Sequence, residues 1–180
     1  SVFNPLPTFH CFGLTVGALL PLIAGVKAVF HPTPLQPREI AKRIRQTGST
    51  ILLATDTFIS QYARAGEEGD MNRVRLAVCG AERVRDETRQ LVRRKFQIEI
   101  LEGYGATEAS PVVAANSVEL NKPGTVGRLA QHQSLRCAAC NAHSEFCLRK
   151  LRGDRRQRGW RNLPTARRYP SSKRGRQGRQ

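Results

Sequence analysis

Apolar positions along the first 128 residues fall into two alternating periods. Between Gly13 and Ala24, Leu14, Leu19, Leu20, Leu22 and Ile23 make a stretch apolar nearly all round, which predicts a helix buried in the core and ended by Gly25. Val26–Phe30 then reads as a short strand. The turn His31–Pro37 is proline-rich, and its last proline suits a first helical turn. From about Arg38 to Gln46, Ile40 and Ile44 share one helical face while Lys42, Arg43 and Arg45 fall elsewhere. Gly48 stops that helix before the strand Thr50–Ala54. The alternation continues with a helix through Phe58, Ile59 and Tyr62, a polar loop Glu67–Asp70 and a strand Arg75–Cys79. A helix Asp86–Phe96 and a strand Ile98–Leu101 complete it. Repeated units of this length predict an α/β fold, a partial parallel sheet flanked by helices with right-handed connections.

Ligands of such sheets gather where the carboxyl ends of strands meet helix N-termini. Two loops there are rich in glycine and polar groups, Gly80-Ala-Glu82 and Gly103-Tyr-Gly-Ala-Thr-Glu108. Gly103 and Gly105 admit close backbone approach, Tyr104 offers a ring face, Thr107 a hydroxyl and Glu108 a carboxylate. These groups can hold a nucleotide and its metal, since Mg²⁺ takes carboxylate and phosphate oxygens. A tight turn with a capping Thr and a solvated Glu accounts for the same spacing.

Charge divides the chain. Up to Arg128 there are sixteen Lys and Arg against twelve Asp and Glu; from Leu129 to Gln180 there are fourteen against two. Most of the net +16 therefore belongs to residues 129–180, where neither hydrophobic period is sustained. That composition, rich in Arg, Gly, Gln and Ser, predicts a disordered basic tail, and a non-native continuation of the reading frame is one account of the abrupt change. Domains are thus expected at 1–128 and 129–180. Arg149–Arg168 has only Trp160 and Tyr169 near it, so non-specific attraction to phosphates is expected rather than recognition of nucleic acid. A non-enzymatic basic protein acting on nucleic acid or an anionic membrane through this tail is the alternative reading.

Five cysteines without a secretory signal predict a reducing, cytoplasmic setting. Cys137, Cys140, His143 and Cys147 carry donors suited to zinc, although one Cys-x-x-Cys is a weak signal. Phe12–Phe30 is interrupted by Pro21, glycines and Lys27, and its apolar run falls short of the ~20 residues of a spanning helix. The opening Ser-Val-Phe-Asn-Pro lacks both an initiator Met and a charged leader, and reads as a start in mid-domain.

Leu101-Glu-Gly-Tyr-Gly-Ala-Thr-Glu-Ala-Ser-Pro111 resembles the signature of the adenylate-forming, AMP-binding superfamily of acyl-activating enzymes. Pro5-Leu-Pro-Thr-Phe-His-Cys-Phe-Gly13, Gly80-Ala-Glu82 and Lys122-Pro-Gly-Thr-Val-Gly-Arg128 match further motifs in the family's order. Phe9–Gly17 and Leu101–Gly105 are most similar to bacterial bifunctional acyl-acyl-carrier-protein synthetases that also reacylate 2-acylglycerophosphoethanolamine. The resemblance implies part of the family's large N-terminal domain. It also implies an ATP- and Mg²⁺-dependent ligase that activates a fatty acid as its adenylate and passes the acyl group to acyl-carrier protein or CoA.

The resemblance further implies lysophospholipid as an acceptor and association with the inner face of the cytoplasmic membrane. Carried over, Gly80, Ala81 and Glu82 line the adenine pocket, and Gly103, Tyr104 and Gly105 flank the base. Thr107 touches the α-phosphate, Glu108 serves Mg²⁺, and His10 borders the acyl pocket. Without the resemblance, Glu82 reads as an acid at the start of the following helix, and His10 as a half-buried histidine. The family's phosphate loop ending Pro-Lys-Gly is absent, and Gly159-Trp160 is followed by Arg161-Asn-Leu-Pro rather than its Thr-Gly-Asp element. A fragment inactive alone is expected.

Overall fold

The computed structural model describes residues 1–130, and the zinc-donor cluster and Arg-rich run lie outside them. In chain order the elements are β1 Val2–Asn4, a wide π-type turn of helix Phe12–Leu19 leading into α1 Leu20–Ile23, β2 Ala28–Phe30, α2 Pro37–Thr47 and β3 Ile51–Ala54. They continue with α3 Asp56–Ala65, β4 Leu76–Cys79, α4 Asp86–Phe96, β5 Glu99–Gly105, β6 Val112–Ala115 and β7 Arg128–Leu129. One seven-stranded sheet has the order β2-β1-β3-β4-β5-β6-β7. β1 to β5 pair in parallel, and β6 and β7 add an antiparallel extension. The predicted α/β class holds. The predicted parallel sheet flanked by helices holds for β1 to β5, and the antiparallel pair β6 and β7 extends it beyond what the alternation of strands and helices announced.

Side-chain alternation along each strand divides the core. Phe3, Leu52, Ala54, Ala77, Cys79, Ile98 and Ile100 point toward α2, α3 and α4, meeting Ile40, Ile44, Ile59, Tyr62 and Val92. Val2 and Leu53 face the other way and pack with Phe12 and Val16. Burying a side chain such as Ile44 or Leu52 contributes roughly 1.5–3 kcal/mol relative to leaving it exposed. α2 begins with Pro37 and ends at Gly48 in the left-handed conformation at φ +61°, as its sequence predicts.

The first helix departs from expectation. Its buried positions are Gly13, Gly17 and Pro21, four residues apart; Phe12 and Val16 pack inward beside them, while Leu14, Leu19, Leu20, Leu22 and Ile23 point outward. Leu22 is 76% and Ile23 83% exposed. The reason is close approach: a Cβ on Gly17 would lie 2.1 Å from Asn4 Nδ2, so only the small-residue stripe fits against β1. Asn4 in turn donates to the Gly13 carbonyl at 3.0 Å and accepts from the Leu6 amide at 3.1 Å. Among the described residues no helix is long and apolar enough to cross a membrane.

Candidate functional site

β4 and β5 run side by side, with Cys79 opposite Glu102, and their carboxyl ends open into a cleft of about 260 Å³. Ala81 and Glu82, after β4, line it together with Gly103, Tyr104 and Gly105 of β5. Two stretches 22 residues apart in sequence thus meet at one site. The strand predicted to stop at Leu101 continues to Gly105, so both glycines belong to strand rather than turn. Gly105 is where the pairing with β6 slips, and a Cβ there would come within 2.6 Å of the Pro111 carbonyl oxygen. Gly80 is buried behind the cleft, where a Cβ would sit 3.5 Å from the Gly103 oxygen. Ala81 holds φ +65°, the left-handed region that non-glycine residues seldom occupy and that often marks a binding turn. Tyr104 is 41% exposed, its ring free to flank a ligand.

Thr107 and Glu108 lie just beyond the cleft lining, in the exposed 3₁₀ turn Thr107–Ala109. Thr107 Oγ1 lies 3.5 Å from Cys11 Sγ, which brings the turn against the loop carrying His10. His10 is exposed and its Nδ1 accepts the Phe12 amide at 3.2 Å, so the semi-buried histidine expected from its neighbours is not found. The structure therefore brings the phosphate-side and acyl-side candidates together, next to the cleft that gathers the base-side candidates.

Glu82 caps a helix, though not the one after it. Its carboxylate accepts the Thr57 amide at 3.1 Å and the Thr57 hydroxyl at 2.7 Å, at the N-terminus of α3. Beside it, buried Asp56 accepts the Arg85 amide at 3.0 Å and Arg85 Nε at 2.6 Å. Burial pushes the Asp56 pKa up, but the Arg85 amide, the Thr88 hydroxyl and the Arg85 guanidinium outweigh it and hold the carboxyl below its ordinary value. Two carboxylates thus fasten the turn after β4 onto the start of α3. Burial, reinforced by the carboxylates of Asp56 and Glu102, pushes the Cys79 thiol well up.

Sequence reasoning missed half the lining: Arg83, Glu102, Gly124, Thr125 and Val126. A signal for Glu102 existed, since it shares strand parity with Ile98 and Ile100, and an acid on a core face demands a partner. Gly124–Val126 lie within the Lys122–Arg128 motif, which sequence alone could not carry across to Gly103. Among the described residues no group of three or more His, Cys, Asp or Glu could hold a metal ion by itself.

A family model described as AMP-binding enzyme matches residues 1–142. The probable 4-coumarate–CoA ligase 3 of Dictyostelium discoideum is 30% identical over 139 residues, covering 72% of this chain and 24% of that protein. A long-chain-fatty-acid–CoA ligase of Haemophilus influenzae is 29% identical over 71% of this chain and 23% of its own length. The chain spans about a quarter of the length of these curated relatives. Among solved structures, the N-terminal domain of FACL13 from Mycobacterium tuberculosis superposes with TM-score 0.70 at 21% identity, covering 80% of this chain and 37% of that one. ATP-bound MatB from Rhodopseudomonas palustris gives 0.68 at 22%, covering 79% and 29%.

Proposed function

The chain belongs to the AMP-binding enzyme family, and we propose on that premise that it is the nucleotide-gripping part of an ATP-dependent fatty acyl ligase. The observation that carries this reading is the convergence of Ala81–Glu82 with Gly103–Gly105 on one cleft at the carboxyl ends of adjacent parallel strands. In the whole enzyme a fatty acid carboxylate oxygen attacks the α-phosphorus of ATP, pyrophosphate leaves, and a thiol then takes the acyl group from the adenylate. CoA is the acceptor named for the relatives. The wording of Phe9–Gly17 favours the phosphopantetheine of acyl-carrier protein, with a lysophospholipid as final acceptor at the inner membrane face.

In this assignment the backbone of Gly80–Glu82 and the ring of Tyr104 enclose the base, with Gly103 and Gly105 letting the ligand lie close to β5. The Thr107 hydroxyl donates to an α-phosphate oxygen, and His10 borders the reacting carboxylate across the Cys11–Thr107 contact. Mg²⁺ is ordinarily held by one or two carboxylates plus substrate phosphates and water, so the single exposed carboxylate of Glu108 fits that ion. When bound, the metal neutralises phosphate charge. The alternative, binding through the basic residues 129–180, rests on their charge alone.

The two readings separate in one experiment. A ligand that binds only the folded state stabilises it by about 2.7 kcal/mol at a hundredfold excess over its Kd. AMP or MgATP should therefore raise the melting temperature of the chain by several degrees, unchanged by deleting residues 131–180. Absence of any nucleotide effect, together with salt-dependent DNA retention that vanishes with the tail, would replace the ligase reading by the basic-protein one.

A further inference from the structure

The geometry points to Glu102 as a positioning residue that holds the loop of Ala81 to Val84 and the loop of Gly124 to Val126 at a fixed spacing across the cleft, an inference that rests on the nucleotide reading above. Glu102 is buried on β5, yet none of its carboxylate interactions is with its own strand. Oε1 accepts the Val84 amide at 3.0 Å, within the loop that carries Ala81 and Glu82. Oε2 accepts the Gly124 amide at 2.8 Å, in the loop whose Gly124, Thr125 and Val126 close the far side. Arg89 Nη2 reaches the same oxygen at 2.7 Å, while Nη1 donates to the Ile100 carbonyl at 3.0 Å. The guanidinium neutralises the buried acid and shares Oε2 with the Gly124 amide, while Oε1 is left to the Val84 amide.

Nothing else described ties those two loops together so directly. The Val84 side is also held by Asp56 through Arg85, and the Gly124 side by Asn116, whose Nδ2 donates to the Thr125 carbonyl at 2.6 Å and to the Glu102 carbonyl at 3.1 Å. Each of those contacts stabilises one wall; the Glu102 carboxylate alone joins both. A loop freed from such a tie samples spacings that do not fit the ligand, and apparent affinity falls in proportion to the competent fraction. Glu102 does not need to touch the nucleotide for this. It acts through backbone amides, which are identical in any neighbouring side-chain context.

The test uses the full chain and three readouts: amide hydrogen exchange at Val84 and Gly124, the Kd for AMP and for MgATP, and the melting temperature. Glu102→Ala should release both amides together and raise both Kd values, by about tenfold if one molecule in ten keeps the competent spacing. Glu102→Gln has one oxygen instead of two, so it should keep protection at only one of the two amides and give an intermediate Kd. Ile44→Val, a mild core change on α2 away from the cleft, lowers the melting temperature and should leave Kd unchanged.

If Glu102→Ala fails to fold, Glu102→Gln carries the test alone through its one-sided loss of protection. Protection retained at both amides in either variant overturns the tie. Both amides released with Kd unchanged overturns the positioning role and leaves a structural one. No nucleotide binding by the unsubstituted chain overturns the functional reading, and this inference with it.

Discussion

Asp56 offers the sharpest energetic test, because one buried carboxylate joins α3 to the turn that walls the cleft. It is 3% exposed and accepts both the Arg85 amide and Arg85 Nε. Arg85 itself is mostly exposed, so the ion-pair part is screened and its guanidinium returns to water at little cost when the acid is removed. The loss at the Arg85 backbone amide is larger, since a hydrogen bond to a charged acceptor contributes about 1.5–3 kcal/mol. Asp56→Ala should therefore destabilise the chain by roughly 2–4 kcal/mol at neutral pH, read from urea unfolding.

The pH arm has a definite sign. The folded-state pKa of Asp56 is depressed below the value 3.8 of a free side chain, so the unfolded chain binds the proton more readily. The stabilisation is full above about pH 4 and is lost as pH falls through the folded pKa. Wild-type and Asp56→Ala stabilities should converge in acid and stay parallel above pH 5. A neutral-pH difference below about 0.5 kcal/mol, the range of an ordinary surface substitution, would refute the argument. So would a difference that grows in acid.

Other outcomes follow from single positions. Gly127→Ala forces a left-handed residue at φ +80° and puts a Cβ 2.1 Å from the Ala115 carbonyl, so it should cost about 2–4 kcal/mol and detach β7 from β6, read as lost amide protection at Ala130. Glu108→Gln in the whole enzyme should slow ATP–pyrophosphate exchange by up to about 3 kcal/mol of barrier, and an unchanged rate would remove Glu108 from the metal assignment. Leu22→Ser with Ile23→Ser should change stability by less than about 0.5 kcal/mol in urea unfolding, because both side chains are already in solvent.

Periodicity alone determined most of the parallel layer. Ile40 and Ile44 four apart, Gly48 at the stop, and acids opening and cations closing α4 are local features whose free energies are set within one or two turns, so α2 and α4 appear where the pattern puts them. The family motifs Gly80-Ala-Glu82 and Leu101–Pro111 likewise contain residues that line the cleft. What tertiary structure decided is which surface each apolar or charged group meets. A helix apolar nearly all round has no preferred face, and only the contact of Gly13 and Gly17 with β1 and the loop after it turns Leu22 and Ile23 outward. Whether Gly103 and Gly105 are turn or strand depends on β6 arriving alongside, a non-local pairing that no window of sequence contains. Glu102 reads as one more polar letter in its motif until Val84, Arg89 and Gly124 converge on its two oxygens. A buried charge takes its role from partners distant along the chain, and only folding brings them within hydrogen-bond reach.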